Sequence, residues 1–169
     1  VGSALRIPVY NIPYHQKLLG EDCEAYMGLA DVHQYHPSAD AFNEADLVLM
    51  IGGRLDNQMN FGNPPLFPAM TTLCCINGSH EEVDFNRAAD MTLLSDPGAF
   101  LQAVIDAGAS GDISKDKGWF ELNRRRRTEW VARMIADVEA EAADDAFGGR
   151  IHPMQLALDV QTAMADGDW

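Results

Sequence analysis

Ala45-Asp46-Leu47-Val48-Leu49-Met50-Ile51-Gly52-Gly53-Arg54-Leu55-Asp56 is the stretch on which the reading of this 169-residue chain turns. Five consecutive apolar residues, Leu47 to Ile51, are too few for a membrane span and suit a strand covered on both faces. Gly52 and Gly53 follow at once, where a chain leaving a strand must turn and where glycine lets a ligand approach the backbone. Arg54 adds one cation and Asp56 one carboxylate. In open α/β sheets ligands sit beyond the carboxyl ends of the strands, where this turn belongs. The segment therefore reads as a nucleotide-type pocket or its remnant.

Outward from it, apolar segments alternate with turn signals. Residues 7–12 read as a short strand entered through Pro8, and residues 13–44 as irregular chain with a short helix near 39–43. Asn63-Pro64-Pro65 punctuates the loop after Asp56. Thr72-Leu73-Cys74-Cys75-Ile76 predicts a second buried strand, residues 81–86 a helical turn and residues 91–94 a third strand. Pro97 suits a first helical position, and the helix it starts carries Phe100, Leu101, Val104 and Ile105 on one face and stops at Gly108. Residues 116–141 repeat large apolar side chains at helical spacing, residues 144–150 read as a linker, and residues 153–164 as a further helix with Met154, Leu156, Leu158, Val160 and Met164 on its face. The pattern predicts an α/β fold: a Rossmann-like parallel sheet flanked by helices, followed by a long helix and linker.

Composition bounds the function. The chain is 47% hydrophobic and 22% charged, a balance typical of globular domains. Its net charge of −14 argues against nucleic acid, whose phosphates reward clustered Lys and Arg. No apolar run approaches the roughly 18–20 residues of a membrane helix, and Arg6 and Pro8 interrupt any leader-like stretch. Three cysteines, two of them adjacent, make no disulfide framework and fit a cytoplasmic protein. Residues 1–110 hold four cations against fourteen acids, whereas residues 111–169 hold eight against twelve, placing a boundary near residues 108–111.

Taken together, Glu44-Ala45-Asp46 through Asp56, then Leu73 to Ile76, Glu81-Glu82-Val83, and Asn86-Arg87-Ala88-Ala89-Asp90 with Asp96 closing the last strand, resemble the middle domain of thiamine-diphosphate enzymes. The group is that of acetolactate synthase, pyruvate oxidase, benzoylformate decarboxylase and 2-hydroxyacyl-CoA lyase. The resemblance covers residues 40–106, with residues 7–12 similar to that domain's second strand, and extends to residues 151–169, similar to the helix that opens the family's cofactor-binding domain. It divides the chain into a central domain lacking its N-terminal part (1–108), a helical linker (109–150) and a truncated first helix of the cofactor-binding domain (151–169). It implies a thiamine-diphosphate- and Mg²⁺-dependent lyase or transferase acting next to a carbonyl on 2-keto acids or 2-hydroxyacyl-CoA substrates. Both the activating glutamate and the Gly-Asp-Gly…Asn motif that the family uses for this cofactor are expected elsewhere in a parent protein. So is a first strand for the sheet. The implied partners are the remaining domains of the same chain, in a homodimer or homotetramer, and a small-molecule substrate. No catalytic residue and no metal ligand are expected here.

The resemblance also places a nucleotide, FAD or ADP, along Gly52, Gly53, Arg54 and Asp56, with Asn77 and Asp96 at the neighbouring strand ends. Backbone N–H groups and a guanidinium suit phosphate oxygens. Equally, this turn is structural in many family members, with Arg54 paired to an acid. Where the family carries a ribose-binding carboxylate, this chain has Asn77, which counts against a tight FAD site. Other candidates read as structural. His33 and His36, with Cys23 and Asp31, lack a third ligand on a definite element. Cys74 and Cys75 fall on opposite faces of a strand. Arg124-Arg125-Arg126-Arg127 surround a helix and favour a solvated face or pairing with the acidic first segment. Two other functional classes stay open: a free-standing nucleotide- or NAD-binding regulatory module, and a structural interaction domain.

Overall fold

A computed structural model describes residues 1–13, 18–20, 22–111, 117–143 and 148–164. The chain forms two compact units, Val1–Arg127 and Thr128–Trp169. The element order is α1 (Gly2–Leu5), β1 (Val9–Asn11), β2 (Tyr26–Leu29), α2 (His36–Glu44), β3 (Leu47–Ile51), β4 (Thr72–Asn77), β5 (Met91–Leu94), α3 (Pro97–Ser110), α4 (Lys117–Ala143) and α5 (Pro153–Ala163). Every strand pair is parallel: β1 with β2, and β3-β4-β5 in that order. The α/β, Rossmann-like architecture with a long following helix is borne out. His15 and Lys17, part of the 144–150 linker, and the terminal Asp166-Gly167-Asp168-Trp169 lie outside the described residues.

In the first unit the alternation of strands decides which side chains are buried. Val48 and Met50 of β3, with Leu73 and Cys75 of β4, share one face and pack with Ala30, Val32, Phe42, Leu55, Met59 and Phe67. Phe67 is fully buried, stacked 5.0 Å from Phe42 at an interplanar angle of 17°. A second cluster joins Ala25 and Met27 to Phe120 from the start of α4. There, too, the Tyr10 hydroxyl donates to Asn123 Oδ1 at 2.9 Å, satisfying a fully buried amide. In the second unit Val138 is buried, and His152 caps α5 by accepting from Met154 N–H.

Several expectations need correction. β3 is not covered on both faces: Leu47 is 50% and Leu49 36% exposed, and Met91 and Leu93 continue that open face. The physical reason is the position of α3, which packs against β4 and α1 and leaves those side chains uncovered. Residues 26–29 form a strand inside the supposedly irregular segment. Residues 81–86 make turns without a helix, because Asp84 and Asn86 take positive φ. Gly108 does not stop α3, which runs on to a left-handed cap at Gly111; a side chain at 108 would instead collide with Leu5 of α1. The expected last helix is present as α5, and none of its described residues is buried.

Tyr10 and Tyr35 tie this packing to pH. The Tyr35 hydroxyl donates to the Met27 carbonyl at 2.6 Å. Burial, and then the neighbouring tyrosine, holds both phenols well above the ordinary 10.0. Protons that the unfolded chain releases near pH 10 are therefore retained in the fold. The stability this contributes is fully present below that value and is lost as pH rises through the folded-state values. Denaturant titrations should give a constant unfolding free energy from pH 7 to 9 and a declining one above 10, with a shallower decline in a Tyr10→Phe, Tyr35→Phe double variant.

Candidate functional site

The parallel register of β3 and β4, Leu47 opposite Thr72 through Ile51 opposite Ile76, ends both strands at one edge of the sheet. There the Gly52 N–H donates to the Ile76 carbonyl at 2.8 Å while the chain turns at Gly52 with φ +70. A Cβ at Gly53 would collide with Ile12 Cδ1, so this glycine serves close packing against the end of β1. Beyond it a cleft of about 630 Å³ opens, within the usual range for small-molecule sites.

Each predicted residue has a definite place. Gly52, Gly53, Arg54, Asp56 and Asn77 all line the cleft; Asp96 does not. Arg54 Nη2 is paired with Glu82 Oε1 at 2.5 Å, and its guanidinium lies 4.9 Å above the Phe85 ring. Asp56 Oδ1 accepts from the Gln58 N–H at 3.1 Å and caps the turn Asn57–Gly62. Asn77 Oδ1 accepts from the Ser79 N–H at 3.0 Å, and its amide Nδ2 lies 3.4 Å from the Gly53 carbonyl. Asp96 Oδ1 accepts from the Ala99 N–H at 2.9 Å, making it the N-cap of α3 ahead of Pro97.

Sequence reading missed Glu82, Phe85, Phe61 and Asn86 as cleft residues. Glu82 had a local signal as one of a pair of acids after β4, but its pairing with Arg54 spans 28 positions and follows no spacing rule. Asn86 reaches back to the Leu55 carbonyl at 2.6 Å and holds its loop against the cleft wall. Phe61 had no signal at all.

The remaining candidates have structural partners. Asp31 Oδ1 accepts from the N–H groups of His33 and Gln34, and His33 Nε2 lies 2.9 Å from the Asn57 carbonyl. Among the described residues no three of His, Cys, Asp and Glu come together as a metal site. Cys75 is buried and Cys74 half-buried, and burial pushes both thiols up, away from reactive thiolates. Within the first unit Arg124 pairs with Glu121 and Arg126 with Glu44, each at 2.7 Å, while Arg127 lies 5.2 Å above Tyr26. No helix among the described residues is long and apolar enough to cross a membrane.

A family model described as "Thiamine pyrophosphate enzyme, central domain" matches residues 2–104, well over half of the chain. The match takes in both parallel sheets and the cleft at their edge.

The Asp96 cap is separable from the cleft. Asp96→Ala should lower the unfolding free energy by about 1 kcal/mol, seen in urea as a shifted midpoint with an unchanged slope. Asp96→Asn, which keeps a capping oxygen, should retain most of that stability.

Proposed function

Because the chain belongs to the thiamine pyrophosphate enzyme central-domain family, we propose that it is the middle domain of a thiamine-diphosphate- and Mg²⁺-dependent enzyme that makes or breaks carbon–carbon bonds next to a carbonyl. The substrates in this reading are 2-keto acids or 2-hydroxyacyl-CoA thioesters, and the activity is of lyase or transferase type. The family match over residues 2–104 is the observation that carries it. Thiamine diphosphate supplies the nucleophile and electron sink for such chemistry when bound. Residues 1–108 contribute scaffold and part of the substrate entrance, residues 151–169 open the cofactor-binding domain, and the parent works as a cytoplasmic homodimer or homotetramer.

In this reading no residue of the chain performs the chemistry. The cleft does not fit the diphosphate of FAD or ADP as it stands. Among the described residues its one cation, Arg54, is paired with Glu82, Asp56 adds a second carboxylate, and the Asn77 amide is already bonded to backbone. We therefore assign the cleft as the remnant of a nucleotide pocket and route no chemical step through it.

The parent protein should turn over a 2-keto acid or a 2-hydroxyacyl thioester only when thiamine diphosphate and Mg²⁺ are supplied, with activity lost on their removal and restored on adding both. Turnover that is indifferent to thiamine diphosphate, together with calorimetric binding of NAD at micromolar affinity or better, would overturn this reading in favour of a regulatory NAD-binding module.

A further inference from the structure

We propose that Glu82 sets the ligand class of the cleft: by engaging the Arg54 guanidinium it turns the site away from phosphorylated ligands and leaves it to an uncharged planar ring held against Phe61 and Phe85. The inference rests on the reading of this cleft as a nucleotide-pocket remnant and names what the remnant takes.

The charges at the cleft disfavour a phosphate, and its exposed rings favour a planar ligand. Among the described residues the cleft wall carries one cation, Arg54, and two carboxylates, Asp56 and Glu82. A phosphate entering it must displace Glu82 from Arg54, where the ion pair stands at 2.5 Å, and then lie close to two like charges. Two further groups at this edge are also engaged: Asn77 Oδ1 by the Ser79 N–H, and the Gly52 N–H by the Ile76 carbonyl. An uncharged ligand meets none of these costs.

Phe61 is 44% and Phe85 41% exposed, and both line the cleft. Phe61 also sits at φ +53, a conformation that bulky residues avoid. Two hydrogen bonds accompany it in this turn: Phe61 N–H to the Asp56 carbonyl at 2.8 Å, and Asn60 Nδ2 to the Asn63 carbonyl at 3.0 Å. Folding gains little from a ring that is both strained in its backbone and open to water. Residues held in this way concentrate at ligand sites. A planar ring stacked on Phe61 would bury that surface, and Phe85, steadied beneath Arg54, offers a second apolar wall.

Two matched pairs test this by calorimetry on the protein: adenosine against ADP for a purine, and riboflavin against FMN for a flavin. The unphosphorylated member of at least one pair should bind about tenfold tighter than its phosphorylated partner. Glu82→Gln, which keeps the shape and removes the charge, should shift that ratio toward the phosphorylated member by about tenfold, the factor expected when a charged hydrogen-bond donor is released. Phe61→Gly should weaken the unphosphorylated ligand by about tenfold or more while the thermal midpoint holds or rises, because glycine accepts φ +53 without strain. The proposal is overturned if the phosphorylated member binds more tightly in the unaltered protein, if Glu82→Gln leaves the ratio unchanged, if Phe61→Gly leaves affinity unchanged, or if none of the four compounds binds. Thiamine-diphosphate dependence of the parent's turnover is read independently, so failure here leaves the family reading in place, and failure there is not mistaken for failure here.

Discussion

Parallel pairing of β3 with β4 is the constraint on which the rest of the first unit depends. Two strands running the same way in register must end together, and the Gly52 to Ile76 hydrogen bond carries their ladder one residue past β3. At that edge both chains turn, so the residues after Ile51 and after Asn77 become neighbours despite their separation in sequence. The same pairing fixes which side chains share a face. It places Val48, Met50, Leu73 and Cys75 together in the core and puts Leu47 and Leu49 opposite Thr72 and Cys74 on the other side. Slipping the register by one residue would exchange these sets and bury Thr72 in place of Leu73.

How much of this was legible in the sequence follows from the range of each signal. β3, β4 and β5 fall where short apolar runs bounded by turn residues put them. β2 escaped notice because Tyr26-Met27-Gly28-Leu29 is four residues long and carries a glycine at φ +108. The error over β3 is instructive: an apolar run shows that its side chains would gain from cover, and says nothing about which element arrives to supply it. Gly108 teaches a related lesson. A glycine near a helix end reads as a cap, yet here the missing side chain makes room for Leu5, a contact more than a hundred residues away in sequence.

The cleft was half legible for the same reason. Gly52, Gly53, Arg54 and Asp56 are consecutive or nearly so, and a strand followed by a glycine turn is a local pattern. Asn77 came from the family resemblance, and the parallel strands do end side by side there. Glu82, Phe85 and Asn86 reach the cleft through a loop whose path is set by hydrogen bonds such as Asn86 to Leu55, and loops have no periodicity from which to read a face. Asp96 was correctly placed at a strand end, but its carboxylate turns to the helix it begins. The family resemblance compensated for part of this. It drew on four separated pieces whose order and spacing carry information that no single piece holds.

What the Arg54–Glu82 pair does is decided by its magnitude. Both side chains are partly exposed, at 47% and 29%, and pairs of that kind contribute only about 0–1 kcal/mol to folding. Stability therefore gives a weak account of the pair. For an incoming anion the pair matters differently: among the described residues Arg54 is the one cation of the cleft wall, and an anion that took it would leave Glu82 unpaired beside it. A contact that is nearly neutral for the fold can thus be decisive for binding. The same competition bears on the glycine turn itself, where the Gly52 N–H is already taken by the Ile76 carbonyl and the Arg54 guanidinium by Glu82.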